Sequence, residues 1–191
     1  DNRSAEDVEK ALGITLGTQS TLLPRNEKTL AKLIAAGKID EAVDLLPNAP
    51  KETRTSAVYT ALLQHFQSIS LDDDDVWERF SRVVKAMIAD DVDTQRIDLQ
   101  INAMFQVGAF TPALTKLRKC KLLGNVPLSV YRQAISSLYE GNWKDECARL
   151  FMEAIHYYPR KLYLDIHLAR IIFARLLDAG LENEIFRCVV S

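Results

Sequence analysis

Residues 103–117, AMFQVGAFTPALTKL, decide the fold class of this chain. An apolar run ends at Gly108, and a second amphipathic run begins directly after it. Glycine adopts the left-handed conformation that ends a helix at little cost, so one helix is predicted to end here and a second to pack back antiparallel. Phe110, at position +2 from the glycine, is expected to fill the turn. Ala113, at +5, is small enough to let the two helices approach closely.

A related pattern follows three other glycines. Gly37 is followed by an apolar residue at +2 and alanine at +5, and Gly180 by apolar residues at +5 and +9. Gly141 is followed by tryptophan at +2, but its later apolar residues come one place late. Gly37 and Gly108 are 71 residues apart, Gly108 and Gly180 are 72 apart, and Gly108 and Gly141 are 33 apart. A two-helix repeat of about 35 residues accounts for these separations. These four glycines are therefore predicted to turn successive hairpins.

The predicted fold is all-α, an α-solenoid of antiparallel helix hairpins with about 35 residues per repeat. Residues 1–25 form a weakly patterned N-terminal segment, and residues 26–191 form the repeat array. Its hairpins are predicted at about 26–46, 53–90, 94–122, 127–158 and 161–190. The second hairpin lacks a turn glycine. Its helices are joined by the polar stretch SISLDDDD at 68–75, in which Asp74 or Asp75 is predicted to cap the next helix.

Composition limits the possible classes of function. The 191 residues are 48% hydrophobic, and 24 basic against 26 acidic side chains give a net charge of −2. A strongly basic nucleic-acid binder would carry a clear positive excess. No apolar run approaches the roughly 18 residues of a membrane span, so no membrane insertion is predicted. Three cysteines cannot form a disulfide framework without one left over, which indicates a reducing, intracellular compartment.

Catalysis has little support in the sequence. The three histidines stand apart from any cysteine or aspartate at ligand or triad spacing, and no glycine-rich phosphate loop is present. No cysteine pair has metal-ligand spacing. We predict a protein that is not an enzyme, with no catalytic residue, cofactor, metal site or small-molecule substrate.

Charge is unevenly distributed along the chain. Residues 1–98 carry a net charge of −6, and residues 99–191 carry +4. Basic residues in the second half lie near tyrosines, an arrangement that can hold a nucleic-acid strand by phosphate contact and base stacking. The alternative is a solvated helix face with tyrosines packed between repeats. The candidate RNA- or partner-binding residues are Lys116, Arg118, Lys119, Lys121, Arg160, Lys161, Arg170 and Arg175. The neighbouring tyrosines are Tyr157, Tyr158 and Tyr163.

The hairpins resemble the pentatricopeptide-repeat family over residues 26–190. The resemblance rests on hairpin length, on the Gly-x-apolar-x-x-Ala pattern at Gly37 and Gly108, and on Tyr131 early in a first helix. Tetratricopeptide repeats are the rival family. The residues that resemble their second helix, with a one-residue slip, are Gly141, Asn142, Trp143, Phe151, Ala154 and Pro159.

The pentatricopeptide resemblance implies modular binding of single-stranded RNA, usually in mitochondria or plastids, with one base per repeat. That family reads bases with a residue about ten positions before the turn glycine, commonly a small polar one. The matching positions here are Glu27, Asp98, Tyr131 or Arg132, and Arg170. None is Asn, Thr or Ser, and carboxylates repel phosphate. The resemblance therefore extends to the fold and not to the base code.

Two functions follow from these observations. The first is a non-enzymatic scaffold or adaptor that binds protein partners as a subunit of a larger assembly. The alternative is a single-stranded RNA-binding, pentatricopeptide-type protein of organellar RNA metabolism. The resemblance implies a mitochondrial or plastid location, and without it the expected location is the cytoplasm.

Overall fold

The computed structural model describes residues 25–124 and 126–158, together with Ala174, Leu177 and Gly180. All regular structure in these residues is helical, which confirms the all-α prediction. No helix among them is long and apolar enough to cross a membrane. Most of the predicted N-terminal segment and nearly all of the predicted hairpin at 161–190 lie outside the described residues. The chain divides into two compact units, Asp1–Thr55 and Ser56–Ser191.

The described residues of the first unit form one helical hairpin. Helix α1 (Arg25–Ala35) packs against α2 (Ile39–Leu45), and two short 3-10 turns follow, Leu46–Asn48 and Lys51–Thr53. The second of these turns packs back on α1. The side chains that hold the unit together are fully or almost fully buried: Leu30, Ile39, Ala42, Val43, Leu46 and Thr53.

The second unit contains three further hairpins in its described residues. Their helices are α3 (Ser56–Gln67), α4 (Asp74–Asp90), α5 (Ile97–Gln106), α6 (Phe110–Leu123), α7 (Leu128–Glu140) and α8 (Lys144–Tyr157). Each first helix packs on its own second helix, α3 on α4, α5 on α6 and α7 on α8. The first helices also pack on one another, α3 on α5 and α5 on α7. The apolar core of this unit therefore runs continuously through the three first helices.

The turn at Gly108 shows how a hairpin reverses the chain. Gly108 has a φ of 76°, and its amide donates to the carbonyl of Phe105 at 3.1 Å. The next amide, of Ala109, donates to the carbonyl of Met104 at 2.9 Å. These two bonds are the Schellman arrangement, which satisfies carbonyls that the end of a helix leaves unpaired. Gly37 and Gly180 also have positive φ, 73° and 72°.

The turn of the last described hairpin is centred one residue later than predicted. Gly141 has a φ of −75°, and Asn142, with a φ of 62°, takes the left-handed conformation. The Asn142 amide donates to Tyr139 at 3.1 Å and the Trp143 amide to Leu138 at 2.9 Å, the same pattern as at Gly108. The prediction that Gly141 supplies the left-handed turn is therefore wrong. Asparagine tolerates this conformation better than most residues, so Gly141 can keep a right-handed helical conformation as the C-cap of α7.

Placing the turn at Asn142 removes the one-residue slip of the sequence pattern. Gly108 and Asn142 are 34 residues apart. The residues at +5 from Gly37, Gly108 and Asn142 are small and at most 1% exposed. The residues at +9 and at −7 are large, apolar and buried in the same three hairpins. The +5 residues are Ala42, Ala113 and Cys147; the +9 residues are Leu46, Leu117 and Phe151; the −7 residues are Leu30, Ile101 and Ile135.

Glycine is required at position 141 for space rather than for backbone conformation. A Cβ atom there would lie 2.3 Å from Cε2 of Phe110, well inside van der Waals contact. The Phe110 ring is held on its other sides by Trp143, at 5.2 Å between ring centroids, and by Phe105, at 6.4 Å. Phe110 is the +2 residue of the preceding turn. The absence of a side chain at Gly141 therefore lets two successive hairpin turns pack together.

The α3–α4 hairpin uses aspartate at both ends of α4. The N-cap is Asp73, not Asp74 or Asp75 as predicted, because its Oδ1 accepts the amides of Asp75 at 2.9 Å and Val76 at 3.1 Å. Asp74 and Asp75 fall in the first turn of the helix, where negative charge is also favourable. At the other end, Asp91 takes a left-handed φ of 52°. No glycine is therefore needed to begin or end this helix.

Residues 91–96, between α4 and α5, are fixed by a buried side-chain amide. Gln100 is 1% exposed, and its Nε2 donates to the carbonyl of Val92 at 2.9 Å while its Oε1 accepts the amide of Thr94 at 3.0 Å. The amide of Gln95 donates to Oγ1 of Thr60 at 3.2 Å, which ties the same segment to α3. The connection between these two hairpins is thus held by hydrogen bonds to both neighbouring first helices.

The contact at Gly141 yields a prediction with an internal control. We expect Gly141→Ala to lower the free energy of unfolding by about 1–3 kcal/mol, because the new Cβ overlaps the confined Phe110 ring. Asn142→Gly should leave the stability unchanged or raise it by about 0.5–1 kcal/mol, since glycine adopts the left-handed conformation freely. Chemical denaturation measures both. When Phe110 is also changed to leucine, Gly141→Ala should lower the free energy of unfolding by less than it does in the wild-type chain. An equal loss of stability in the two backgrounds would contradict the steric explanation.

Candidate functional site: the basic helix α6 and the tyrosine cleft

The four predicted cations of α6 lie on two opposite flanks of the helix. Lys116 and Lys119, three residues apart, line a groove of about 150 Å³ together with residues of α4 and α5. Arg118 and Lys121, also three residues apart, line a cleft of about 40 Å³ against α8. Because each residue of an α-helix advances about 100°, Lys116 and Arg118 point some 200° apart. The structure brings these cations together in two pairs and does not gather all four on one face.

Lys116 is a buried cation that anchors α6 to the segment before α5. Its side chain is 9% exposed, and its ammonium pairs with the carboxylate of Asp93, which is 72% exposed. A buried ammonium needs a counter-charge, and here the counter-charge comes from residues 91–96. The charge of Lys116 is therefore used within the protein and is shielded from the solvent.

Lys121 takes part in a three-residue network that joins α6, α7 and α8. Its ammonium pairs with Oε2 of Glu153, and the hydroxyl of Tyr131 donates to Oε1 of the same carboxylate at 2.7 Å. Burial, and then the adjacent Glu153 carboxylate, raise the pKa of Tyr131. Tyr131 consequently stays a neutral hydrogen-bond donor across the physiological pH range. Glu153 thus links the second helix of one hairpin to both helices of the next.

A wide cleft lies beside this network. Its volume is about 420 Å³, and its lining residues are Lys121, Leu122, Gly124, Val126, Tyr131, Tyr157 and Tyr158. Within it the hydroxyl of Tyr158 donates to the carbonyl of Val126 at 2.7 Å, and its ring meets Tyr131 edge-on at 6.3 Å. Leu122 and Tyr157 are 87% and 56% exposed. We call this surface the tyrosine cleft.

The tyrosine cleft brings together part of the predicted binding set. Of the eight candidate cations it contains Lys121 alone, next to Tyr157 and Tyr158. Arg118 and Lys119 are exposed on α6 outside it. The remaining predicted residues, Arg160, Lys161, Arg170 and Arg175, lie outside the described residues, as does Tyr163.

The positions that correspond to base-reading residues have other roles where they are described. Asp98 accepts two hydrogen bonds from the Arg96 guanidinium, 3.0 Å from Nε to Oδ1 and 2.7 Å from Nη2 to Oδ2. This hydrogen bonding lowers the pKa of Asp98, so its carboxylate remains charged. Tyr131 is buried against Glu153. With the turn at Asn142, the residue ten positions earlier is Arg132.

Sequence reasoning missed the residues that neutralise α6. Asp93 lies 23 residues from Lys116, and Glu153 lies 32 residues from Lys121. Among the described residues no group of three or more His, Cys, Asp or Glu side chains could hold a metal ion. Cys120 and Cys147 are not joined in a disulfide, and the Cys147 thiol donates to the carbonyl of Ile135 at 3.6 Å.

No protein-family model matches this chain, and no curated protein matches it.

The Glu153 network predicts that replacing Glu153 destabilises the protein more than replacing an exposed glutamate does. We expect Glu153→Ala to lower the free energy of unfolding by about 1–3 kcal/mol, because it leaves both Lys121 and the Tyr131 hydroxyl without their acceptor. The matched control is Glu78→Ala, which removes an exposed pair with Arg82 at 2.9 Å within one helix. That change should cost no more than about 0.5 kcal/mol. Urea denaturation of the two variants decides the point, and equal midpoints would contradict a structural role for Glu153.

Proposed function

We propose that this protein is a non-enzymatic, pentatricopeptide-like helical-repeat scaffold or adaptor that acts as a subunit of a larger assembly. The proposal includes a solenoid built from hairpins of about 35 residues. It is supported by the stacked first helices α3, α5 and α7, and by the shared pattern of buried positions around Gly108 and Asn142. Stacked hairpins present extended surfaces suited to protein partners.

The observation that carries the scaffold proposal is the use of the α6 cations. Two of the four, Lys116 and Lys121, neutralise carboxylates of neighbouring segments. The two exposed cations, Arg118 and Lys119, point about 100° apart and line different grooves. Binding of a single strand along phosphates needs several cations that face one groove. In α6 the positive charge instead joins one hairpin to the next.

The alternative function, binding of single-stranded RNA in an organelle, has one observation in its favour. The tyrosine cleft places Tyr157, more than half exposed, near Lys121. An exposed aromatic ring beside a cation can stack a base and contact a phosphate. The location in mitochondria or plastids belongs to the same proposal, since it follows from the family resemblance.

Fluorescence anisotropy with homopolymer RNAs at two salt concentrations separates the two functions. The scaffold function predicts at most sequence-indifferent binding, with a dissociation constant of about 1–100 µM that weakens steeply with salt. Combined reversal of the exposed cations, Arg118→Glu with Lys119→Glu, should remove much of that binding. Lys85→Glu, an exposed cation on α4, is the control and should have little effect. Submicromolar, sequence-selective binding at physiological salt would overturn the scaffold proposal.

A further inference from the structure

We propose that Ser70, in the loop between α3 and α4, is a phosphorylation site for a serine/threonine protein kinase that selects acidic substrates. The loop occupies residues 68–73, and the scaffold function gives it no task. Ser70 is followed by four consecutive carboxylates, Asp72–Asp75, at positions +2 to +5. This inference goes beyond the proposed function and does not depend on it.

The Ser70 hydroxyl is accessible without any helix unfolding. Ser70 is exposed, and residues 70–72 form neither helix nor strand. Phosphoryl transfer requires the attacking hydroxyl to reach an in-line position behind the γ-phosphate, which a hydroxyl within a helix or a core cannot do. An exposed serine in an irregular segment between two helices satisfies this requirement.

The charges at positions +2 to +5 from Ser70 are all negative, and that of Asp73 is fixed in place. Asp73 remains at the start of α4 because its side chain accepts the amides of Asp75 and Val76. Asp72, Asp74 and Asp75 are exposed beside it. Kinases discriminate among substrates by charge pattern, so a kinase with a basic substrate groove gains ion pairs here, whereas one with an acidic groove is repelled. The loop therefore specifies the class of kinase as well as the residue.

A second serine in the same loop provides an internal comparison. The Ser68 hydroxyl donates to the carbonyl of His65 at 2.7 Å, where it caps the end of α3. Its +3 residue is Leu71, which is uncharged. The Ser70 hydroxyl donates to Oδ2 of Asp72 at 2.6 Å, an exposed contact between neighbours, and its +3 residue is Asp73. Ser70 is thus the better phosphate acceptor, because its hydroxyl does not cap a helix and its +3 residue is negatively charged.

The reaction forms one bond and breaks one. The Ser70 Oγ attacks the γ-phosphorus of ATP, the bond from that phosphorus to the β,γ-bridging oxygen breaks, and ADP leaves. The hydroxyl proton passes to the catalytic aspartate of the kinase. The product carries about −1.5 to −2 charges at pH 7. It can no longer donate to Asp72, and it adds repulsion to the carboxylates that follow.

The test uses the full chain with a purified acid-directed serine/threonine kinase and Mg-ATP, read by phosphopeptide mass spectrometry. We expect one phosphate on the loop, at Ser70 and not at Ser68, and none there in Ser70→Ala. Asp73→Asn removes the +3 charge but keeps an oxygen that can cap α4. This change should lower the initial rate about tenfold, equivalent to about 1.4 kcal/mol of lost ion pairing. Asp145→Asn, an exposed first-turn carboxylate of α8, is the matched control and should leave the rate unchanged.

Several results would overturn the proposal. One is equal modification of Ser68 and Ser70, and another is an unchanged rate in Asp73→Asn. A third is phosphorylation of a peptide spanning 64–78 with none of the folded chain, which would show that the loop is inaccessible. Efficient modification of Ser70 by a kinase that selects basic substrates would refute the role of the aspartates.

Discussion

The left-handed residue that ends α1, α5 and α7 is the constraint on which these three hairpins depend. A helix end leaves carbonyl groups without partners, and the two amide bonds that follow Gly108 and Asn142 satisfy them while reversing the chain. The reversal also sets the register of the second helix. Small residues at +5, Ala113 and Cys147, then lie where two helices meet, and large ones fill the core at +9.

The electrostatics of α6 follow from that register. Once α5 packs on α7, the second helix α6 lies between residues 91–96 on one flank and α8 on the other. Lys116 and Lys121 then meet Asp93 and Glu153. A helix that has a basic stripe in its sequence is thus neutralised at two of its four cations in the fold. Positive charge on a helix of stacked hairpins indicates an RNA surface only where the neighbouring hairpins leave it unpaired.

The sequence predicted those features that are local to a hairpin. The 3.6-residue apolar spacing indicated helices, and isolated glycines indicated turns at Gly37 and Gly108. Asn142 was missed because the adjacent Gly141 offered the more familiar turn residue, although the slipped pattern at Cys147 and Phe151 already pointed one place on. The cap of α4 was predicted one or two residues late, at Asp74 or Asp75, since the hydrogen bonds of Asp73 depend on where the helix begins.

Features that depend on packing between hairpins could not be derived in this way. Gly141 must lack a side chain because Phe110, 31 residues earlier, occupies its space. No single-sequence pattern shows that contact. The pairing of Lys121 with Glu153 likewise requires the two hairpins to be stacked.

Solution NMR of the isotopically labelled chain tests the position of the turn most directly. A positive φ brings the amide and α protons of a residue closer than a helical or extended φ does. The account predicts a strong intraresidue cross-peak between these protons at Asn142, together with helical chemical shifts through Gly141. A weak cross-peak at Asn142 with a positive φ at Gly141 would contradict it, and with it the register that places Cys147 and Phe151 in the core.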